Sequence, residues 1–510
     1  MSIINPKVRI DIIPAYQKAE VQEQKVLFVG QMTTGTAISG QLYTSIESNN
    51  QQDILFGKNS MLATMIRNAK KINKISRFDA IPLADEGAAV AAVGNVTFTG
   101  TASANGKIYI SIGSEKNNTY ELDITSAQTE TQIGDALAAL ITADTTSLVA
   151  ASNAAGVVTL TAVNKGEEGN KIGVKYSGTV AGVTVALTQP TGGTTNPVIT
   201  TVFDVVGNIR YQTIVWPSTY TLSILQDFLD DRFNAGKRIL DGIGILSVTD
   251  TLANLKLIPN NSQSIALHGN QLVNDSDWKG SAIFEMDYAI ASQFSAIRSL
   301  RLTDGASIIN YVNATEGAKD AIGGLVISSL PYFNTPFNLL PIVPHKYEWD
   351  DDENDELNEA GIFILGDNEA HNKIIADRVV TTYKTDAASN PDISFKYMNY
   401  VDTSVGIRWY FHENLRRRFL NSRLTTGDVI PLRNMANAHI IQAALMVFYK
   451  DLADMTLIVA GESARKKFLD NLTIEIDMET STVNIFMVVE IVVQLERINA
   501  EMQISFSPNE

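Results

Sequence analysis

Residues 378–423 read RVVTTYKTDAASNPDISFKYMNYVDTSVGIRWYFHENLRRRFLNSR, the most informative stretch of the chain. The run from Arg378 to Thr385 is β-branched and aromatic, the composition of a strand. The segment 386–392, DAASNPD, is made of turn formers. Phe395, Tyr397 and Tyr400 then lead to Asp402, Thr403 and Ser404, which predict a helix N-cap. In the helix that follows, Ile407, Phe411, Leu415 and Phe419 recur at every fourth position and form one apolar stripe. Arg408, Arg416, Arg417, Arg418 and Arg423 occupy its other sides, with Glu413 as the single carboxylate among them. The order is therefore strand, turn, aromatic segment and arginine-rich amphipathic helix.

Downstream, residues 432–451 predict a second helix with Met435, Ile440, Ile441, Leu445, Phe448 and Tyr449 on one broad face. Residues 472–478 alternate strictly, 479–482 turn, and 483–495 return as a long strand, which predicts a hairpin with one buried and one wet face. After a link at 497–500, Met502, Ile504 and Phe506 alternate with Gln503, Ser505 and Ser507. The other end of the chain has a counterpart: Val8, Ile10 and Ile12 alternate with Lys7, Arg9 and Asp11, between Pro6 and Pro14. A lone strand is unstable and must join a sheet. Both ends are therefore expected to be arms (1–20 and 500–510) that pair with neighbouring subunits; for the first, an edge strand of its own domain is the alternative.

Between these ends the chain divides by composition. Residues 25–30, KVLFVG, predict a buried parallel-type strand, and the glycine turn after it ends that strand. That turn spaces its glycines like a phosphate loop, yet lacks both the Lys-Ser/Thr pair and GxGxxG. Ser60 predicts the cap of a helix that buries Leu62, Met65, Ile66 and Ala69. Residues 91–195 are poor in charge and rich in Gly, Thr, Ala and Val. Short strands are expected near 98–102, 107–112, 119–124, 157–161 and 183–187, with one helix at 131–143 facing inward through Ile133, Leu137, Leu140 and Ile141. This is expected to be a peripheral β-rich module inserted between the two parts, 21–90 and 196–370, of an α/β domain. In 196–370, strands at 213–216, 243–248 and 264–268 alternate with helices at 222–236, 251–258 and 288–301, which favours a partly parallel sheet covered by helices. The fold class is mixed α/β and multidomain, completed by an α+β C-terminal domain at 371–499 and extended terminal strands.

The 510 residues contain no cysteine, which excludes disulfides and thiolate metal sites, and the net charge of -16 excludes a general nucleic-acid binder. No apolar run is long enough to span a membrane, and no signal peptide is read at residues 1–20. His268, His345, His371, His412 and His439 form no HxH, HxxxH or HExxH cluster. The acidic run 349–356, WDDDENDE, lacks the glycine and terminal Glu of a calcium loop and reads as a solvated loop. Glu167 and Glu168 are adjacent, so in a strand they would point to opposite faces and share no metal. No GxSxG or paired-carboxylate motif presents itself. Catalytic residues, cofactor and metal are each expected to be none; the alternative is a nucleotide-binding α/β enzyme.

An ordered series of short matches resembles the Mu-like family of contractile phage tail sheath proteins. The first strand resembles the family's VLLIGQ, and 56–63, FGKNSMLA, resembles FGxGS-x-LA with Asn59 in place of glycine. FTGTA at 98–102, VVTLTAVNKGEEGN at 157–170, WPSTY at 216–220, Arg232, SVT at 247–249, Asn261-Ser262, Pro336 and LNEAGI at 357–362 continue the series, and 378–423 resembles the family's C-terminal domain. The resemblance implies a subunit stacked in hexameric rings around a tail tube, with baseplate and tail terminator proteins as further partners. It also implies that the helix ending in Arg416, Arg417 and Arg418 faces the tube.

Overall fold

The structure, a computed structural model, describes residues 23–233, 239–303, 330–368, 373–425 and 434–494. Both terminal arms, with Val8, Ile10, Ile12, Met502, Ile504 and Phe506, lie outside the described residues.

The first part of the α/β domain runs β1 (Lys25–Gln31), α1 (Gln51–Phe56), α2 (Met61–Ile72) and β2 (Arg77–Leu83). The segment 91–195 supplies β3 (Val93–Thr99), β4 (Gly106–Ile112), β5 (Ser114–Ile124), α3 (Glu130–Ala143), β6 (Val149–Ala154), β7 (Val157–Ala162), β8 (Val174–Ser177) and β9 (Thr184–Thr191). The second part follows with β10 (Thr213–Val215), α4 (Leu222–Phe233), β11 (Ile243–Asp250), α5 (Leu252–Leu255), β12 (Ile265–Asn274), β13 (Trp278–Ser281) and α6 (Asp287–Thr303). Beyond it come α7 (Asp351–Ala360), β14 (Ile362–Phe363), β15 (Leu365–Asn368), β16 (Lys373–Ala376), α8 (Met398–Phe419), β17 (Arg423–Leu424), β18 (Met435–Ala436), α9 (Ala438–Asp454), α10 (Glu462–Asp470), β19 (Thr473–Asp477) and β20 (Thr482–Phe486).

The main sheet has the order β2-β1-β10-β11-β12-β13-β8-β4-β5, with β14 also on β12. Its first five strands are parallel. Strands covered on both faces need an apolar run, and residues 26–29 of β1 supply it: Val26 and Phe28 pack with α2 and α6, while Leu27 and Val29 pack with Leu225 and Leu229 of α4. The turn after β1 contains a glycine for a steric reason. A Cβ on Gly35 would lie 1.9 Å from the carbonyl oxygen of Leu55.

The segment 91–195 shares this architecture. Its β8 pairs with β13, so β8, β4 and β5 extend the main sheet, and β6-β7-β3-β9 form a second, four-stranded sheet. The two sheets and α2 enclose one apolar core running from Val26 through Ile110 and Leu137 to Phe294. Thr129 caps α3 in a capping box with Gln132. Ile133, Leu137 and Ile141 face inward as expected, but Leu140 is exposed.

Several local expectations are corrected. Arg378 to Thr385 forms no continuous strand; it makes isolated bridges, Val380 to Tyr397 and Thr385 to Pro391, because it threads between α8 and β12, with Thr382 N–H donating to the Ile265 carbonyl. The acidic run is the start of α7: Asp350 and Glu353 form a capping box, and carboxylates in a first turn complement the helix dipole. The helix expected at 251–258 is only α5, capped by Thr251. Glu167 and Glu168 sit on a 3₁₀ turn, with Glu168 buried.

Candidate assembly interface

The largest difference between sequence pattern and structure is where α8 begins. Asp402 is inside the helix, not its cap, and α8 spans 22 residues, about 33 Å. Its first turns belong to the main core through Met398 and Val401. Its later turns, with Ile407, Tyr410 and Phe411, join a separate core built with Ile441, Leu445 and Phe448 of α9 and Phe468 of α10. Leu415 and Phe419 pack on that second core, so the predicted stripe is the docking face.

Two buried ionic clusters fix the near half of α8. Asp402 accepts from the Arg298 guanidinium at 2.5 Å and from the Tyr332 hydroxyl at 2.7 Å. Arg298 also donates to the Gln212 carbonyl and the Thr213 hydroxyl, both at 2.6 Å. Burial and then the Asp402 charge push the Tyr332 phenol well up. One turn and a half further on, Arg408 reaches Asp241 at 3.0 Å and the Phe233 carbonyl at 2.7 Å. Arg210 meets the same buried Asp241 at 3.1 Å.

The far half of α8 ends differently. Arg416, Arg417 and Arg418 are all exposed. Arg416 lies 3.4 Å from Glu413, and the Arg418 guanidinium stands 5.9 Å from the Phe419 ring centre. A neighbouring acid within reach of these side chains would meet little desolvation cost, so each pair would contribute roughly 0–1 kcal/mol.

The hairpin β19–β20 packs on the same second core, against α9. Ile474, Val483 and Ile485 pack inward, whereas Phe486 is 61% exposed. The second strand is shorter than expected: it ends at Phe486, and the chain then bends so that Val459 donates to the Glu490 carbonyl. Among the described residues no third strand pairs with β19 or β20. Val492 and Val493 leave further apolar surface beside the hairpin. Open edges next to exposed apolar side chains are a template for strand addition from another chain.

The main domain brings together one serine, one histidine and one acid. His268 Nδ1 lies 2.8 Å from Ser247 Oγ, which in turn donates to Asp287 at 3.3 Å. The serine thus separates histidine from acid, so the acid cannot orient the imidazole as a relay needs. All three are buried, and burial pushes His268 down to about 3. Among the described residues no three His, Asp or Glu side chains gather as metal ligands, and no helix is long and apolar enough to cross a membrane. Sequence motifs reveal neither the Ser247–His268–Asp287 contact nor the Asp402 cluster, because their members are distant in the chain.

No family model matches the chain. A curated relative, the Mu-like prophage FluMu tail sheath protein of Haemophilus influenzae, is 26% identical over 440 residues, which is 84% of this chain and 82% of that protein. Among solved structures, a sheath tail protein from Desulfitobacterium hafniense superposes with a TM-score of 0.46 at 12% identity, covering 95% of this chain and 100% of that one. The helical sheath of the anti-feeding prophage in its contracted state gives 0.47 at 10% identity, with 99% of each chain covered.

Proposed function

We propose that this relative of Mu-like tail sheath proteins is itself the structural subunit of a contractile tail sheath. The observation that carries the reading is the sequence likeness to the Haemophilus influenzae protein, which extends over 84% of the chain. The subunits polymerise in hexameric rings around a tail tube, with baseplate and tail terminator proteins at the two ends. Contraction drives the tube into the host envelope. The particle assembles in the host cytoplasm and acts as part of the virion tail. No reaction is needed: an extended lattice of less favourable contacts converts to a contracted one of more favourable contacts.

Two surfaces suit that work. The open hairpin β19–β20 offers edges to the terminal arms of neighbouring subunits, with Val8, Ile10 and Ile12 from one end and Met502, Ile504 and Phe506 from the other. The exposed Arg416, Arg417 and Arg418 hold acidic groups on the tube by pairs weak enough to break on contraction. Electron microscopy of the purified protein, alone and with tubes, tests the reading: striated tubes or stacked rings are expected. Failure of the full-length chain to form either, under any salt condition that keeps it folded, would refute it. The variant Arg416→Glu/Arg417→Glu/Arg418→Glu should still polymerise alone yet not load onto tubes. Normal loading removes the helix as the attachment site.

A further inference from the structure

In a doubly wound sheet a ligand crevice opens at the carboxyl ends of the strands, where successive connections pass to opposite faces. Here that point lies between β1 and β10. The chain leaves β1 toward α2, which packs on the face of Phe28, and leaves β10 toward α4, which packs on the face of Leu27. The protein fills this crevice with its own turn 164–169, which comes from the segment 91–195. On one lip, the Asn164 side chain donates to the Met32 carbonyl at 3.1 Å and accepts from the Met61 N–H at 2.9 Å, closing the N-terminus of α2. Gln31 donates to the Lys165 carbonyl at 2.6 Å, and the Lys165 N–H donates to Asp85 at 3.0 Å. On the other lip, Glu168 Oε1 accepts from the Thr219 hydroxyl at 3.0 Å.

Glu168 is the vulnerable member of this grip. It is 3% exposed, and its second oxygen, Oε2, has no partner within the protein. It lines a cavity of about 20 Å³ with Asn59, Met61, Met286 and Tyr288. Such a space suits one water, not a counter-ion with its shell. The charged and titratable groups facing it are Asp287 at the start of α6, Lys171 on its own turn, and the phenols of Tyr220 and Tyr288. Lys171 is engaged elsewhere, with its Nζ donating to the Thr249 carbonyl at 3.1 Å. Burial, and then Asp287, push the Glu168 carboxyl up to about 7.

We propose that the turn 164–169 is a proton-operated latch: with Glu168 neutral it closes the crevice and pins the segment 91–195 to the α/β sheet, and ionisation of Glu168 lets it lift. The direction follows from the physics of burial. A neutral carboxyl fits the site, whereas a carboxylate there loses its water without gaining a cation. The latch is therefore fully closed below the ordinary carboxyl value of 4.5 and loosens as pH rises through about 7. It is a property of the single chain and stands whether or not that chain polymerises.

Hydrogen exchange by mass spectrometry on the full chain, at about pH 5.5 and about pH 8.5 and corrected for intrinsic rates, tests it. In the wild type, opening of 163–170 and of 217–221 should rise roughly thirtyfold toward the alkaline end, since opening grows about tenfold per pH unit only until the carboxyl ionises in place near 7. Glu168→Gln should abolish that rise, while Glu167→Gln, whose carboxylate accepts from Asn196 at the surface, should keep it. Equal corrected protection at both pH values in the wild type would overturn the latch, and so would a rise that persists in Glu168→Gln. If Glu168→Gln fails to fold, the wild-type profile decides alone: a midpoint near 7 supports the latch, and a rise complete below about pH 6 overturns it.

Discussion

Replacing Asp402 with alanine should be among the most damaging single changes in the chain. The side chains of Arg298 and Asp402 are 5% and 1% exposed, so the guanidinium has almost no water to turn to. Removing the carboxylate deletes a charge-assisted bond of 2.5 Å and the acceptor of the Tyr332 hydroxyl. Arg298 stays where it is, because the Gln212 carbonyl and the Thr213 hydroxyl still hold it. An arginine left buried without its counter-ion costs about 3–5 kcal/mol, a large part of the roughly 5–15 kcal/mol that stabilises a folded domain. Urea unfolding of the purified chain reads this as a fall in midpoint. The double variant Arg298→Met/Asp402→Leu, which removes both charges, should be clearly more stable than Asp402→Ala alone. A loss below about 1 kcal/mol in Asp402→Ala, or a double variant no better than it, would show that the pair is not electrostatically isolated.

Other changes test separate parts of the fold. Thr129→Ala removes one arm of the capping box on α3 and should cost about 1 kcal/mol, read as a lowered thermal midpoint. Gly35→Ala sets a Cβ against the Leu55 carbonyl and should cost about 1–3 kcal/mol through forced backbone movement. Glu285 is buried, accepts from the Ser114 hydroxyl at 2.8 Å, and is pushed up to about 7 by burial. Its contribution is complete below its ordinary value of 4.5 and declines as pH rises through about 7, so Glu285→Gln should stabilise the chain at about pH 8.5 and give no gain at about pH 4. Thermal scans at the two pH values check the sign.

The sequence is most readable where a residue's role depends on near neighbours. The apolar runs of β1 and β11, the cap at Ser60 and the inward Ile441, Leu445, Phe448 and Tyr449 of α9 follow from local pattern, and the structure places them so, whereas Met435 lies in β18 ahead of that helix and Ile440 is half-buried. It is least readable where a distant partner reassigns a residue. Asp402-Thr403-Ser404 has the composition of a cap, yet Asp402 is claimed by Arg298, 104 residues away, and the helix starts before it. The acidic run misleads for another reason: its charge suggests a solvated loop, although Asp350 and Glu353 have capping-box spacing. The join between the segment 91–195 and the main sheet rests on β13, a strand of four residues whose pairing with β8 no local pattern announces. At the candidate interface the apolar stripe of α8 is legible. The inward turn of Arg408 is not, because Asp241 lies in another part of the chain.

The division of α8 between two cores makes its length a fixed mechanical dimension. Each residue of an α-helix advances about 1.5 Å and turns about 100°. One residue added between Thr403 and Tyr410 would swing the far lobe, with its hairpin and its arginines, by more than a quarter turn about the helix axis. Every chain in a repeating assembly would then present its neighbours with a surface aimed in the wrong direction, although each lobe could still fold. Insertions can therefore accumulate in the surface loops of this protein, but not in the few turns that set the angle between its two lobes.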